Sequence, residues 1–401
     1  MKSFTGHFAR AAPHNSYLPY MTDHLNIYII ENEDPERNSS GGVMSYIINL
    51  GKFLNSAGII PFFFIAGKAP AGKPGTGSFN YQPVAVANKR ISNVLYLLLL
   101  FVKVFRVPNS PDSIIHSQRS DFLLPFILFR PKARFVVTMH GMRDVGFTFK
   151  KGKMLGRIYA AITRFCLRRT HQVIFVDKNS LAFYRKLYPW IAGKETVIPI
   201  GVDVTVFKPA DKSLLRKKYG FSDRDRIALF VGRLEKEKNV DFFLRVCNAA
   251  SKEIPSLKVV IAGTGSCLFA LVELQHELNF NEVTFLGEIE NKLVPAIINL
   301  ADVLALCSEY EGSPTVIKEA LACGVPVISN DVGDAREVLK DIPGCIIAEK
   351  ETDPYSKGIV RILSSNPAKY LYKYALPFSY DIVYAKVITV YLKARQIKEA
   401  R

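Results

Sequence analysis

Glu311-Gly312-Ser313-Pro314-Thr315-Val316-Ile317-Lys318-Glu319-Ala320-Leu321-Ala322-Cys323-Gly324-Val325-Pro326-Val327-Ile328 reads as a loop, a helix and a buried strand in immediate succession. Ser313 is a good N-cap and Pro314 suits the first helical position, so the helix is expected to begin there. Several backbone N–H groups then point at whatever precedes the helix, and such an end attracts phosphate. Glu311 falls in the loop at that anion site. Glu319, eight positions on, falls on the helix, where a carboxylate can accept hydrogen bonds from neutral hydroxyls. A phosphate and a sugar together would satisfy both acids; a capped helix carrying two ordinary surface acids would have the same spacing.

Helical patterns and apolar runs alternate in this way along the whole chain. Strands are expected at 25–30, 59–65, 113–116, 135–140, 172–176 and 196–198, and again at 227–231, 258–262, 283–286, 303–306 and 326–329. Near-continuous apolar strands separated by helices imply α/β architecture, with parallel strands buried on both faces. A chain of 401 residues, 49% of them hydrophobic, can bury two ordinary cores. The restart after Gly201-Val202-Asp203, ahead of a basic helix at 213–219, makes two doubly wound units in tandem the expected fold. Residues 1–23, rich in Pro, Ser and His, read as a loose N-terminal extension, and the Gly- and Pro-rich stretch 68–77 reads as a loop.

The six cysteines (Cys166, Cys247, Cys267, Cys307, Cys323 and Cys345) are scattered without a C-x-x-C pair, which indicates neither a disulfide framework nor a zinc cluster. A reducing, cytoplasmic setting is expected. The first two dozen residues lack an apolar h-region, and the longest uncharged apolar run, 94–102, is too short to span a bilayer, so neither a signal peptide nor a spanning helix is expected.

The net charge of +17 is unevenly placed. Residues 1–204 hold 26 Lys and Arg against 11 Asp and Glu, whereas residues 205–401 hold 27 against 25. The densest stretch is 130–169, where Arg130, Lys132, Arg134, Arg143, Lys150, Lys151, Lys153, Arg157, Arg164, Arg168 and Arg169 face one acid, Asp144. Phe147, Phe149, Met154, Leu155, Ile158, Tyr159 and Phe165 lie between them, the mixture of a surface that meets anionic lipid headgroups, or of a solvated basic helix. No nucleic-acid-binding module accompanies the charge, and nucleic acid is not an expected partner.

Ligands gather at the carboxyl ends of strands in doubly wound sheets, and the conspicuous polar residues fall there. Ser39-Ser40-Gly41-Gly42 follows the first strand and opens a helix at 44–55, where Gly41 and Gly42 can bring backbone N–H groups close to an anion or admit a bulky acceptor. His140-Gly141 closes another strand. Gly232-Arg233 closes the first strand of the second unit with Lys238 shortly after, and both cations can reach a pyrophosphate at the mouth of the Glu311 loop. Gly263-Thr264-Gly265 ends the next strand and would admit a nucleotide.

Taken in order, these residues resemble the family-4, glycogen-synthase-like, retaining glycosyltransferases of the GT-B fold. The resemblance covers roughly residues 24–399. It is carried by Gly41-Gly42, His140-Gly141, Val197-Ile198-Pro199-Ile200-Gly201-Val202-Asp203, Phe230-Val231-Gly232-Arg233 with Lys238, Ala262-Gly263-Thr264-Gly265, Phe285-Leu286-Gly287, and the Glu-x7-Glu signature at Glu311 and Glu319. Phe378-Ser379-Tyr380-Asp381 and the helix after it, to Lys393, look like the terminal segment that crosses back to the N-terminal domain. The fold implied is two tandem Rossmann-like domains facing a central cleft. An acceptor-side domain would cover 24–203 plus 380–401, and a nucleotide-sugar donor domain would cover 204–379.

The resemblance implies roles. Arg233 and Lys238 would neutralise the donor pyrophosphate, work done by metal ions in other transferases, so no metal and no cofactor are expected. Backbone N–H groups near Thr315 and Val316, in the loop of Gly312 and Ser313, would add the helix-terminus contribution. Glu319 would hold the ribose, Glu311 the donor sugar, and His140 would contact that sugar from the opposite domain. A lipid-linked or glycan acceptor would attack the face that the diphosphate leaves, with no carboxylate nucleophile. The loop reads Glu-Gly-Ser-Pro-Thr where Glu-Gly-Phe-Gly is commoner, and Val176-Asp177-Lys178-Asn179-Ser180 departs from the usual serine after the strand. A UDP-sugar is the preferred donor from family frequency. The competing readings are a phosphorylase or nucleotide-sugar epimerase on the same fold, and a non-catalytic protein that binds membranes or polyanions.

Overall fold

The computed structural model describes residues 25–32, 41–59, 62–66, 80–81, 91–142, 153–365 and 370–397. The extension 1–23, Ser39-Ser40, the loop 68–77, and Arg143, Asp144, Phe147, Phe149, Lys150 and Lys151 lie outside the described residues.

Two parallel sheets organise the chain. The first contains β1 (Asn26–Glu31), β2 (Phe62–Ala66), β3 (Asn80–Tyr81), β4 (Ser113–Ser117), β5 (Arg134–Met139), β6 (Gln172–Phe175) and β7 (Glu195–Val197) in the order β3-β2-β1-β4-β5-β6-β7. The second contains β8 (Arg226–Val231), β9 (Leu257–Ala262), β10 (Val283–Gly287), β11 (Val303–Leu306), β12 (Val327–Ser329) and β13 (Ile346–Ile347) in the order β10-β9-β8-β11-β12-β13. Each sheet starts in the middle, winds to one edge and then reverses past its first strand. The reversal opens a crevice at the carboxyl ends of β1 and β4, and of β8 and β11. Every residue of β4, β5 and β11 is buried, as helices on both faces require.

Several boundaries differ from expectation. The second strand runs over Phe62–Ala66, not 59–65, and β3 and β13, each of two residues, were not expected. Helix Lys212–Lys218 starts one residue early because the Asp211 carboxylate accepts from the Leu214 N–H at 3.1 Å. Helix Gly42–Ser56 starts at the second glycine itself, after Gly41 at φ 109°.

The terminal helix Tyr380–Gln396 buries Val383, Tyr384, Val387 and Tyr391 in the core of the first sheet, with Leu25, Ile27 and Leu50. Its Tyr391 hydroxyl lies 2.6 Å from His116 Nδ1 on β4, and Arg395 Nε donates to Asp112 at 2.9 Å. Where the chain leaves the first sheet and later returns, Val202 and Ser379 form a parallel bridge. Gly201 lets the two segments pack closely there, since a Cβ would lie a tight 3.2 Å from the Tyr380 Cα. Among the described residues no helix is long and apolar enough to cross a membrane.

Candidate active site

The loops after β8, β9 and β11 knit together at one end of the second sheet. Leu234 N–H donates to Thr264 O at 2.9 Å, and Cys267 N–H donates back to Leu234 O at 2.9 Å. A Cβ on Gly263 would stand 1.9 Å from Gly232 O, and one on Gly265 would stand 2.5 Å from Leu234 O. Both glycines therefore let the loop that carries Arg233 lie against the next one. Arg233 is half-exposed and leans on Glu237 at 3.4 Å.

Lys238 ends the short turn Lys236–Lys238, and Glu309 N–H donates to Glu237 O at 2.7 Å, which lays that turn along the loop after β11. Lys238 Nζ then reaches Glu311 Oε1 at 2.5 Å, and the Ser308 hydroxyl donates to the same oxygen at 2.7 Å. Charge from the loop after β8 and a carboxylate from the loop after β11 thus meet in one polar cluster.

Ser313 does not cap the following helix, which spans Thr315–Ala322 with Pro314 at the cap position and no side-chain cap. Its hydroxyl is taken by tertiary partners instead. It donates to Asp334 Oδ2 at 2.6 Å and accepts from Lys318 Nζ at 2.5 Å and from the Ile200 N–H at 3.0 Å. Glu319 sits on the helix with its carboxyl pushed up to about 7 by burial, while a hydrogen bond from Thr315 and the Lys318 charge act in the opposite direction.

From the first sheet, His140 follows β5. The Gln118 amide oxygen can only accept, so His140 Nε2 donates to it at 2.8 Å, leaving a bare Nδ1 that has no partner among the described residues. The Tyr46 ring meets the imidazole edge to face at 5.2 Å, and burial pushes the His140 pKa down to about 3, so the ring is neutral at ordinary pH. The two rims touch through glycines. A Cβ on Gly141, at φ 101°, would lie 3.4 Å from the Gly312 Cα, and one on Gly312 would lie 3.2 Å from His140 O. On the same side Gly42 lies against Ile200, its Cβ position 3.4 Å from the Ile200 Cδ1. Ile200 is in turn tied to Ser313, which links the Gly41-Gly42 turn to the Glu311 loop.

The segment Val176–Ser180 acquires a role in this contact. Asp177 accepts from the Ser180 N–H at 2.7 Å to cap helix Lys178–Leu187, Asn179 Nδ2 donates to Gly333 O at 3.1 Å, and Lys178 pairs with Glu337 at 3.0 Å. Gln118, Ser308, Lys318 and Asp334 were not foreseen as parts of the site. Only Lys318 carried a signal, a lysine within the apolar pattern Ile317, Ala320, Leu321. Among the described residues no group of three or more His, Cys, Asp or Glu side chains gathers as a metal site.

The described basic residues of the stretch 130–169 divide between buried and exposed positions. Arg134 is buried in β5, and Arg164 and Arg168 each lie 5.2 Å from the Trp190 ring centre. Lys132, Arg157, Arg164, Arg168 and Arg169 are exposed.

Two family models cover most of the chain: "Glycosyltransferase Family 4" matches residues 40–206 and "Glycosyl transferases group 1" matches residues 211–376. The chain belongs to the family-4, group 1 glycosyltransferases and has the GT-B fold. It is 33% identical over 179 residues to the D-inositol 3-phosphate glycosyltransferase of a Mycobacterium species (strain KMS), a match that takes in 43% of this chain and 40% of that one. The chain thus spans less than half the length of such relatives. Sucrose-phosphate synthase from Thermosynechococcus elongatus superimposes with a TM-score of 0.76 over 92% of this chain and 98% of its own, at 21% identity. The Anabaena protein HepE, in complex with UDP and glucose, superimposes with a TM-score of 0.70 over 91% and 99%, at 17% identity.

Proposed function

We propose that this glycosyltransferase moves a hexosyl group from a UDP-sugar to a lipid-linked or glycan acceptor with retention of configuration and without a metal ion. The observation that carries the reading is the meeting of Lys238, Ser308 and Glu311 beneath the Gly141–Gly312 contact, with Arg233 on the adjoining loop. In this reading, residues 204–379 are the donor side, and residues 24–203 with 380–401 are the acceptor side. Arg233 and Lys238 take the pyrophosphate and stabilise the departing diphosphate, aided by the uncapped N–H groups around Thr315 and Val316. Lys238 already pairs with Glu311, so pyrophosphate binding draws the ammonium from one anion towards another. Glu311 is then free to accept from hydroxyls of the sugar. Glu319 accepts from the ribose, and the loops at Gly263 and Gly265 border the nucleotide. Neutral His140 contacts the sugar from the facing rim, and Gly41-Gly42 borders the acceptor.

HepE is described with UDP and glucose bound, which supports UDP as the nucleotide. Six unpaired thiols support a reducing, cytoplasmic compartment. The test is a panel of UDP-, GDP- and ADP-sugars read by thermal stabilisation and turnover, with the product anomer assigned by NMR. A UDP-sugar should stabilise the chain, and a retained anomer should appear. Undiminished turnover in both Arg233→Ala and Glu311→Ala would falsify the assigned site.

A further inference from the structure

Helix Asn93–Lys103 shows a face that no part of the described chain covers. Tyr96 and Leu100 are buried, and the Tyr96 hydroxyl donates to Ile65 O at 2.5 Å, which fixes the inner side. Leu98 lies about 200° round the helix from both, at about 100° per residue. The opposite stripe is therefore Val94, Leu98 and Val102, which are 69%, 59% and 69% exposed. A solvent-facing stripe on a surface helix normally carries charged or polar residues, and this one carries none. Phe105, at 62%, extends it, and Leu128 and Phe129 at the end of helix Leu124–Phe129 widen it. Phe105 and Phe129 pack 5.4 Å apart and Arg130 lies over the Phe105 ring at 5.0 Å, so the patch is continuous across the two helices.

Among the described residues the charge bordering this patch is positive. Arg106 and Lys132 are exposed at its border, and helix Lys153–Arg169, packed against helix Leu124–Phe129, adds exposed Arg157, Arg164, Arg168 and Arg169 with Met154 and Ile158 between them. Two acids near it among the described residues are engaged: Asp112 is held by Arg395, and buried Asp121 by Arg119. Apolar side chains inside a cationic border match an acyl layer beneath anionic headgroups. A second copy of the chain fits poorly, because a two-fold contact between these faces would set one cationic border against the other.

The helix also starts at the cleft. Asn32, directly after β1, donates from Nδ2 to Asn93 Oδ1 at 2.8 Å and to Ile91 O at 2.9 Å, so the first turn of the apolar helix stands at the crevice rim. We infer that the outer face of helix Asn93–Lys103, with Phe105 and Phe129, seats the protein on an anionic lipid bilayer beside the mouth of its cleft. This rests on the proposed transferase reading only in choosing a lipid-linked acceptor over a free glycan.

The test is sedimentation of the full chain with vesicles of phosphatidylcholine alone and of phosphatidylcholine with phosphatidylglycerol. The wild-type chain should bind the mixed vesicles, more weakly as salt rises. Leu98→Glu with Val102→Glu should lower the partition at least about tenfold, since each large apolar side chain withdrawn from the acyl layer is worth about that factor. Lys132→Glu with Arg106→Glu should remove only the preference for phosphatidylglycerol, by about fivefold per charge. These side chains are exposed, so melting temperature and circular dichroism should not move; Phe105→Glu serves if the first pair fails to fold. No wild-type binding, binding indifferent to the helix substitutions, or a solution dimer that those substitutions dissociate without any vesicle binding would each overturn the inference. Sedimentation needs no donor, so failure of docking and failure of sugar transfer read out separately.

Discussion

Lys238 Nζ lies 2.5 Å from Glu311 Oε1, joining the turn after β8 to the loop after β11 through two side chains that are 19% and 16% exposed. Charge pre-placed where a diphosphate departs needs no reorganisation during the reaction, and removing such a group costs about 10²–10³ in rate. Lys238→Ala and Arg233→Ala should each lower kcat/KM by that order. The two should differ in stability: Arg233 is half-exposed and weakly paired, so Arg233→Ala should leave the melting temperature unchanged, whereas Lys238→Ala strands Glu311 and should lower it. Steady-state kinetics with parallel calorimetry checks both; equal melting losses would contradict the difference in pairing.

Glu319 makes the donor site sensitive to pH. Burial raises its carboxyl to about 7 from an ordinary 4.5. Between those values the folded chain holds a proton that the unfolded chain has released, so stability falls as pH rises through the window and stays low above it. Glu319→Gln should therefore stabilise the protein by on the order of 2 kcal/mol at about pH 8 and by little near pH 4.5. Nucleotide binding should respond in the opposite sense, because ribose hydroxyls donate best to the ionised carboxylate. The donor KM should fall as pH rises through about 7 in the wild type and stay flat in Glu319→Gln. A parallel slope in the variant would remove Glu319 from the ribose site.

Much of this arrangement is legible in the sequence because burial on both faces leaves so simple a mark. The apolar run expected at 303–306 is the strand Val303–Leu306, and the polar residues after such runs stand at the crevice because every strand of both sheets is parallel. What is illegible depends on a partner far along the chain. Ser313 has the local preference of an N-cap, yet Asp334, 21 residues on, and Ile200, 113 residues back, claim its hydroxyl. The run 94–102 is plainly apolar, but only the packing of Tyr96 and Leu100 decides that Val94, Leu98 and Val102 face outward. Edge strands of two residues carry too little pattern to be read at all.

His116 and His140 should make the first sheet acid-sensitive. Burial holds both near 3; His116, which sits between the Tyr391 hydroxyl at 2.6 Å and Thr138 Oγ1 at 2.7 Å, is lowered further by the charge that His140 would carry. In the unfolded chain both titrate near 6.5. Their contribution is thus complete above pH 6.5 and is lost as pH falls towards 3. Urea unfolding at about pH 7 and about pH 5 should show a drop that His140→Asn reduces by ~2 kcal/mol, the linkage of one such group over that interval. An unchanged drop would mean that the imidazole is solvated and charged in the folded state.

Lys318 and Asp334 should be energetically inseparable. Their side chains are 0% and 4% exposed and meet at 2.7 Å, with the Ser313 hydroxyl 2.5 Å from the ammonium and 2.6 Å from the carboxylate. That hydroxyl spends its single proton on Asp334 and accepts from Lys318 and from the Ile200 N–H, so its hydrogen-bonding capacity is full. Asp334 N–H also donates to Gly312 O at 3.0 Å, which sets the loop next to Glu311. Removing one member of a buried pair leaves an uncompensated charge and costs about 3–5 kcal/mol, whereas replacing both by neutral groups of similar volume costs far less. Lys318→Met and Asp334→Asn should each be severely destabilising, and the double variant should be more stable than the sum predicts by at least about 1 kcal/mol. Ser313→Ala should cost about 1 kcal/mol and raise the donor KM, because it frees the Glu311 loop from Ile200 without stranding a charge. A double-mutant cycle by chemical denaturation decides the matter: additive losses would show that the ammonium and the carboxylate find other partners, and that the loop is held by backbone contacts alone.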